Sequence, residues 1–148
     1  MARAEAAAHH RPHRRLRPAI ILTVAAGGAV GATARYELGS SFEVASGSFP
    51  WVTFAVNVSG SFLLGLLLTF VLERWPPTQY VRPFLAIGVL GTYTTFSTYS
   101  VEADLLFKDG HVAVGVVYVL ASPAAGGVAV YLGILTARLR SPLRRSER

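Results

Sequence analysis

Hydrophobic residues in this chain are gathered into four long runs that are separated by short polar connections. The runs cover about residues 19–38, 50–72, 83–107 and 112–137, and charged side chains are sparse within them. Each run is near the roughly 20 residues that an α-helix needs to cross the hydrocarbon core of a bilayer. Because the connections are short, successive helices are expected to be antiparallel neighbours. The pattern predicts an all-α integral membrane protein with four transmembrane helices.

The overall composition agrees with a membrane-embedded chain. Of the 148 residues, 52% are apolar and 15% are charged, which is too apolar for an average soluble domain. We expect residues 19–138 to form one four-helix membrane unit between a disordered basic tail, residues 1–18, and a second basic tail, residues 139–148. The chain contains no cysteine, which excludes disulfides and thiolate metal sites.

The first hydrophobic run has a competing interpretation as a cleaved signal peptide. The basic segment RPHRRLRP precedes it as a leader would, and the segment AVGATA resembles a cleavage site. Cleavage there would leave three spans and would discard Gly27, Gly31 and Arg35, which lie at i, i+4 and i+8 on one helical face. We therefore expect this run to be retained as a span.

The strongly basic composition, with an isoelectric point near 10.3, would also suit a nucleic-acid-binding protein. The basic residues are concentrated in the segments RPHRRLRP and RLRSPLRRSER, which flank the spans directly. In that position Lys and Arg orient the chain in the membrane and contact anionic lipid headgroups. We therefore expect membrane lipid, and no nucleic acid, among the partners of this chain.

Small and polar residues form a stripe along the second run. They recur at every fourth position, as Thr53, Asn57, Ser61 and Gly65, while leucines cover much of the remaining surface. Close helix packing explains Ser61 and Gly65 without any further function. Asn57 is different, because a side-chain amide in mid-membrane needs partners for two N–H donors and a carbonyl oxygen. Asn57 therefore indicates a path that is occupied by water or an ion.

The third run contains the segment GVLGTYTTFSTYS, residues 88–100, in which hydroxyl side chains and glycines are unusually dense. Gly91 is followed by β-branched threonines, so the helix is predicted to break near residues 91–95. Inside a membrane, such a break is tolerated where it is buried in protein, lines water or binds an ion. Hydroxyl groups that bond back to the i−4 carbonyls are the simpler alternative, and the segment favours neither interpretation by itself.

A weaker polar track is predicted along the fourth run. Tyr118, Ser122 and Gly126 have the same four-residue spacing. Pro123 lies among them and removes one backbone donor, which frees the carbonyl near Val119. The fourth helix is therefore a second candidate for contact with a polar path.

Three motifs occur in the order GGAVGATARY, TFAVNVSGSFLLG and GTYTTFSTYSVE. With them the chain resembles the Fluc (CrcB) family of fluoride ion channels, over all four runs but not over the basic tails. The resemblance implies a cell-membrane channel subunit, not an enzyme, that lowers cytoplasmic fluoride by passive efflux. It also implies a third helix broken in mid-membrane and an antiparallel, dual-topology type of dimer. Such a dimer has two pores along its interface and a structural sodium ion at its centre.

The resemblance also implies roles for individual residues. Positions that match the pore are Thr53, Asn57, Phe96, Ser97, Tyr99, Tyr118 and Ser122. Backbone carbonyls that match the sodium site belong to Gly91 and Thr94. Two further motif positions are Arg35 and Glu102. The family usually has Phe where this chain has Tyr99, and Pro123 is not a feature of the family.

Fluoride chemistry agrees with this set of side chains. The ion is small and strongly hydrated, so a pore has to replace its water with hydrogen-bond donors. The Asn57 amide and the hydroxyls of Thr53 and Ser97 are such donors, and the edges of Phe96 and Tyr99 are electropositive. No cluster of acidic or histidine side chains is required.

The arginines predict how the subunit inserts. With four spans, both tails and the second connection lie on one side of the membrane. That side carries Arg3, Arg11, Arg14, Arg15, Arg17, Arg74, Arg82, Arg138, Arg140, Arg144, Arg145 and Arg148. The other side has Lys108, and Arg35 lies at or within the end of the first span, so we expect insertion with both termini in the cytoplasm. A subunit of one orientation predicts a heterodimer with a homologous subunit of opposite topology, and otherwise an antiparallel homodimer.

Two other function classes fit a four-span chain of this size. A small multidrug or cation exporter usually depends on a carboxylate buried in the membrane, and the third run offers Glu102 and Asp104 near its end. A non-transporting membrane scaffold would need the packing motifs alone. The stripe around Asn57 and the hydroxyl-rich segment argue against a scaffold.

Overall fold

The computed structural model describes residues 17–42, 45–73 and 79–139, and these residues are helical with short connections. The helices are α1 (Pro18–Ser41), α2 (Trp51–Glu73), α3, α4 (Phe96–Lys108) and α5 (Val112–Leu139). Helix α3 begins as a π-helix over Pro83–Leu90 and ends in one α-helical turn over Gly91–Tyr93. The predicted all-α class is confirmed, with no strand among the described residues. The predicted basic tails lie almost wholly outside those residues.

Three of the described helices are long and apolar enough to cross a membrane: Pro18–Ser41, Trp51–Val71 and Val112–Leu139. The chain is therefore a multi-pass membrane protein. The third hydrophobic run is not one uninterrupted helix, because Thr94 and Thr95 are extended between α3 and α4.

Glycines allow α1 and α3 to pack with their backbones in contact. Gly27 and Gly31 are buried, and a Cβ at these positions would collide with the carbonyls of Phe84 and Val89, respectively. Because both contacts advance along the two helices in the same direction, α1 and α3 are parallel. Small residues permit such close approach, and the resulting van der Waals contacts help helices to associate in an apolar solvent.

Helices α2 and α5 form the second close pair. A Cβ at Gly65 would collide with the Val130 carbonyl of α5, and a Cβ at Gly133 would collide with the Phe62 carbonyl of α2. The contact of Ser61 with Gly126 lies one turn before the contact of Gly65 with Val130 on both helices, and Thr53 and Tyr118 meet at Glu102 nearer the start of both, so α2 and α5 are parallel. Gly65, at the end of the polar stripe, thus has the packing role that small residues have in membranes.

Helix α4 folds back along α5 through a tight turn. Gly110 has a φ of 81°, and His111 N–H donates to the Leu106 carbonyl at 2.8 Å. Phe107 then packs on Gly115, and Ala103, Leu106 and Tyr118 form the buried core between the two helices. Helix α4 is therefore antiparallel to α5.

Candidate ion pathway

One side chain of α2 holds the interruption between α3 and α4. Asn57 Nδ2 donates to the Thr95 carbonyl at 3.0 Å, and Asn57 Oδ1 accepts from Thr95 N–H at 2.8 Å. The side-chain amide thus replaces the backbone partners that an interrupted helix loses. This pairing uses one N–H of Asn57 Nδ2 and leaves the other for a further acceptor.

Thr95 starts the next helix as its N-cap. Its backbone is extended, with φ −143° and ψ 123°, and its Oγ1 accepts from Thr98 N–H at 3.2 Å. Threonine at this position satisfies one of the free N–H groups of the first turn. Thr95 was not among the predicted site residues, although a threonine just before the aromatic segment is a recognised sign of a helix start.

The same two hydrogen bonds leave two backbone carbonyls without their helical donors. Thr95 N–H donates to Asn57 rather than to the Gly91 carbonyl, and Thr98 N–H donates to Thr95 Oγ1 rather than to the Thr94 carbonyl. Uncharged carbonyls at an unwound helix are suitable ligands for sodium in a membrane. The carbonyl oxygens of Gly91 and Thr94 are therefore suitable ligands for the sodium ion that the family resemblance implies. Within the described residues, no group of three or more His, Asp or Glu side chains is arranged to hold a metal.

Helix α2 approaches the interruption closely at the residues that follow Asn57. A Cβ at Gly60 would collide with Thr94 Cγ2 and would lie 3.1 Å from Tyr93 Cδ1. Ser59 Oγ lies 3.1 Å from Tyr93 Oη. The short α2 segment from Asn57 to Gly60 therefore contacts all three residues from Tyr93 to Thr95.

A cavity of about 660 Å³, which we call the large cavity, lies beside this interruption. It brings together four of the predicted pore residues, Asn57, Phe96, Tyr99 and Ser122, and Gly91 and Thr94 also line it. None of the described residues that line it carries a charge. The Phe96 side chain is 80% exposed, so its ring is available to whatever occupies this space.

Ser122 presents a buried hydroxyl with no hydrogen-bond partner among the described residues. It lies on α5 at the wall of the large cavity. A buried hydroxyl without a partner costs free energy, so a structural role alone does not account for it. Its O–H therefore has no acceptor within the described part of the chain.

The hydroxyls of two other predicted pore residues, Thr53 and Tyr118, are hydrogen-bonded outside the large cavity. Thr53 Oγ1 donates to Glu102 Oε1 at 2.7 Å, and Tyr118 Oη donates to Glu102 Oε2 at 2.7 Å. Tyr118 is fully buried, and neither it nor Thr53 lines the large cavity. We call these three residues the Glu102 cluster; it joins α2, α4 and α5 through both oxygens of one carboxylate. The sequence had indicated the three residues separately and not as a group.

Tyr99 lies between the cavity and the Glu102 cluster. The centroid of its ring is 5.8 Å from that of Phe96 and 5.1 Å from that of Tyr118. Its hydroxyl donates to the Val119 carbonyl of α5 at 3.0 Å. The ring thus belongs to the cavity wall, whereas its hydroxyl is bound to protein.

Comparisons with known proteins identify the family of this chain. A family model described as "CrcB-like protein, Camphor Resistance (CrcB)" matches residues 22–134. The chain belongs to the CrcB family. It is 54% identical over 125 residues to "Fluoride-specific ion channel FluC 3" of Streptomyces avermitilis, which covers 84% of this chain and 61% of that relative. It is 41% identical over 133 residues to "Fluoride-specific ion channel FluC 1" of Streptomyces coelicolor, which covers 90% of this chain and 86% of that relative.

The CrcB match contains every predicted site residue and stops before both basic tails. It also contains a second cavity of about 440 Å³, which is lined by Arg35, Thr53, Thr95 and Thr98 among others. Thr95 lines both cavities, so both lie next to the interruption. Ser97 lines neither of them; it is exposed, with its Oγ 3.3 Å from Thr95 Oγ1.

Proposed function

We propose that this CrcB-family chain is a subunit of a fluoride-selective ion channel, not an enzyme, and that it lowers cytoplasmic fluoride by passive efflux. The observation that carries the proposal is the uncharged cavity at the helix interruption, where three kinds of group suited to a fluoride ion meet. These are the spare N–H of Asn57, the unpartnered hydroxyl of Ser122 and the exposed ring of Phe96. The relatives named as fluoride-specific ion channels support the same ion.

The cavity wall would replace the hydration shell of fluoride without binding the ion too tightly. Neutral N–H and O–H donors and aromatic edges give partial positive charge, whereas a fixed cationic side chain would hold an anion in place. Fluoride would pass Asn57 and Thr95 in the large cavity, whereas the cationic Arg35 lines the second cavity. Ser97 would reach the ion only through surfaces that a second subunit completes.

A sodium ion would bind at the carbonyls of Gly91 and Thr94. Its positive charge would make the interior more favourable for an anion. Because this ion is structural, fluoride flux should not need a sodium gradient. Flux that stops when the gradient is collapsed, with sodium still present on both sides, would contradict this role.

The subunit would cross the membrane four times, with α3 and α4 together forming the third crossing and the interruption lying in mid-membrane. The helix directions support this arrangement, because α1 is parallel to α3, whereas α5 is antiparallel to α4. The exposed ring of Phe96 and the open wall of the large cavity call for a second subunit. We propose an antiparallel dimer in which that subunit completes both pores.

The charge distribution favours a heterodimer in the cell membrane. Nearly all arginines lie on the side of the tails, which would therefore be cytoplasmic. On the other side, a hydrogen bond from Lys108 to Asp104 at 2.7 Å raises the pKa of Lys108, so this cation retains its charge but is paired. The partner would be a homologous subunit of opposite topology. Relatives named FluC 2 and FluC 3 occur together in Streptomyces avermitilis, so one organism contains more than one such chain.

Fluoride release from proteoliposomes that contain this chain together with a homologous subunit of opposite topology, followed with a fluoride electrode, tests the channel. We expect passive release that Phe96→Ile strongly reduces, while the variant remains folded and inserted because the ring is 80% exposed. An exporter or a scaffold would give no passive release, and that result would contradict the proposed function.

Cysteine labelling tests the topology independently. The chain has no cysteine, so single cysteines at Ser46 and Ser146 can be labelled from outside the cell in an otherwise unchanged chain. We expect labelling at position 46 alone, and no full fluoride resistance when this chain is expressed by itself. Labelling at both positions together with full resistance would mean that the chain is dual-topology and self-sufficient.

A further inference from the structure

Tyr99 differs from Phe96 because its hydroxyl is bound by a neighbouring helix. Tyr99 Oη donates to the Val119 carbonyl of α5 at 3.0 Å. A carbonyl inside an α-helix normally accepts from the N–H four residues later, so it seldom depends on a side chain. The acceptance of a side-chain hydrogen bond by the Val119 carbonyl should therefore have its cause within α5.

Pro123 supplies that reason. It lies inside α5, four residues after Val119, and proline has no N–H to donate. The Val119 carbonyl has consequently lost its usual donor, and in a membrane there is no water to replace it. The Tyr99 hydroxyl provides the missing donor from α4.

The hydrogen bond also fixes the Tyr99 ring in a place that matters for the cavity. Tyr99 and Pro123 line the large cavity together with Phe96 and Ser122. The Tyr99 ring is flanked by Phe96 and Tyr118, with centroids 5.8 and 5.1 Å away. A ring that is held at both Cβ and Oη keeps one orientation at the cavity wall, whereas a phenylalanine ring would be held at Cβ alone.

We propose that Tyr99 and Pro123 are an interdependent pair. Pro123 frees the Val119 carbonyl, and Tyr99 binds this carbonyl and thereby positions its own ring at the wall of the ion pathway. Tyr99 is thus a positioning residue whose hydroxyl acts through α5. The proposal rests on the proposed fluoride channel for its transport measurement but not for its stability measurement. It makes the effect of the Tyr99 hydroxyl conditional on the residue at position 123.

A double-mutant cycle with Tyr99→Phe and Pro123→Ala tests the pair in the full-length chain, in the assembly in which the wild-type chain conducts. The midpoint of thermal unfolding, the fluoride flux and the fluoride-to-chloride permeability ratio are measured for each variant. With proline at position 123, Tyr99→Phe should lower the midpoint, change the permeability ratio and reduce flux about threefold, the size expected for one hydrogen bond between membrane helices. In the Pro123→Ala background the same change should have little effect, because the new backbone N–H donates to the Val119 carbonyl.

Tyr93→Phe is the matched control. It also removes a tyrosine hydroxyl from the third run, 3.1 Å from Ser59 Oγ, but Tyr93 does not line the large cavity. Its effect should be the same with proline or alanine at position 123.

Two results would overturn the proposal. Equal effects of Tyr99→Phe in both backgrounds would mean that the two residues are independent. A lower unfolding midpoint with unchanged flux and permeability ratio would mean that the hydroxyl has no positioning role. Absence of fluoride flux in the wild-type chain even when it is assembled with a homologous subunit would count against the proposed function instead, and the unfolding midpoints would still decide whether Tyr99 and Pro123 are coupled.

Discussion

The wall of the large cavity and the Glu102 cluster both contain polar groups from α2, α4 and α5, but the hydrogen bonds of these groups differ. In the Glu102 cluster, each oxygen of the carboxylate accepts from one hydroxyl, and Thr53 and Tyr118 both donate at 2.7 Å. In the cavity wall, Asn57 retains one N–H and Ser122 Oγ has no partner among the described residues. The first group binds the helices to one another, and the second retains capacity for a ligand.

The contrast separates polar residues that would look alike in a membrane helix. A buried polar group that is fully paired stabilises the fold, and its removal leaves its partners without hydrogen bonds. A buried polar group without a partner destabilises the fold and is retained for another reason. Substitutions in the Glu102 cluster should therefore change stability first, and substitutions in the cavity wall should change flux first.

Asn57→Ala should have the largest effect, because Asn57 belongs to both categories. The variant loses the N–H available to fluoride, and it also loses both bonds to the Thr95 backbone. We expect fluoride flux to fall by at least about tenfold, since a hydrogen bond to a charged group contributes more than the roughly 1.4 kcal/mol that corresponds to that factor. The unfolding midpoint should fall as well.

Ser59→Ala is the matched control for Asn57→Ala. Ser59 lies two residues further along α2 and contacts Tyr93 outside the large cavity, so its loss should leave flux near the wild-type value. Wild-type flux in Asn57→Ala would remove Asn57 from the ion pathway and would leave it a purely structural role at Thr95.

The sequence was sufficient to predict the all-α class and to identify the segment in which Thr94 and Thr95 leave the helix. Composition and residue spacing carry this information, because run length reflects the bilayer and because glycine and β-branched residues disfavour a continuous helix. The small-residue stripe of α2 was visible for the same reason. Helical periodicity assigns each of these residues to a face without any knowledge of the neighbouring helix.

The partners of those faces were not predictable in the same way. Thr53 and Glu102 are 49 residues apart and Glu102 and Tyr118 are 16 apart, and their meeting depends on how three helices rotate against one another. Tyr99 and Pro123 were each recognised as departures from the family pattern, but their connection through Val119 needed the packing of α4 on α5. Helical periodicity predicts which residues share a face of a helix, whereas the structure is needed to show which residues that face contacts.

Glu102→Ala should be the strongest test of the fully paired group. It leaves the hydroxyls of Thr53 and Tyr118 without their acceptor, so we expect the free energy of unfolding to fall by about 2–3 kcal/mol, measured by chemical unfolding in detergent. Glu102→Gln retains one acceptor oxygen and nearly the same volume, so it should recover a large part of the loss. Equal stability of the alanine variant and the wild-type chain would show that the cluster does not hold the helices together.

Substitutions of Thr53 and Ser122 should have the smallest effects, but they test the comparison most directly because the two hydroxyls are similarly buried. Thr53 and Ser122 are each 7% exposed, but the Thr53 hydroxyl is paired with Glu102 and the Ser122 hydroxyl is unpaired among the described residues. Thr53→Val should lower the free energy of unfolding by about 1 kcal/mol, the usual contribution of one hydrogen bond. Ser122→Ala should leave it unchanged or raise it, while flux falls about threefold from the loss of one weak donor. Unfolding in detergent and fluoride release from proteoliposomes measure both variants in parallel. If Ser122→Ala destabilised the chain and left flux intact, Ser122 would be a structural residue whose partner is supplied by the second subunit, and the division between the two groups would not hold.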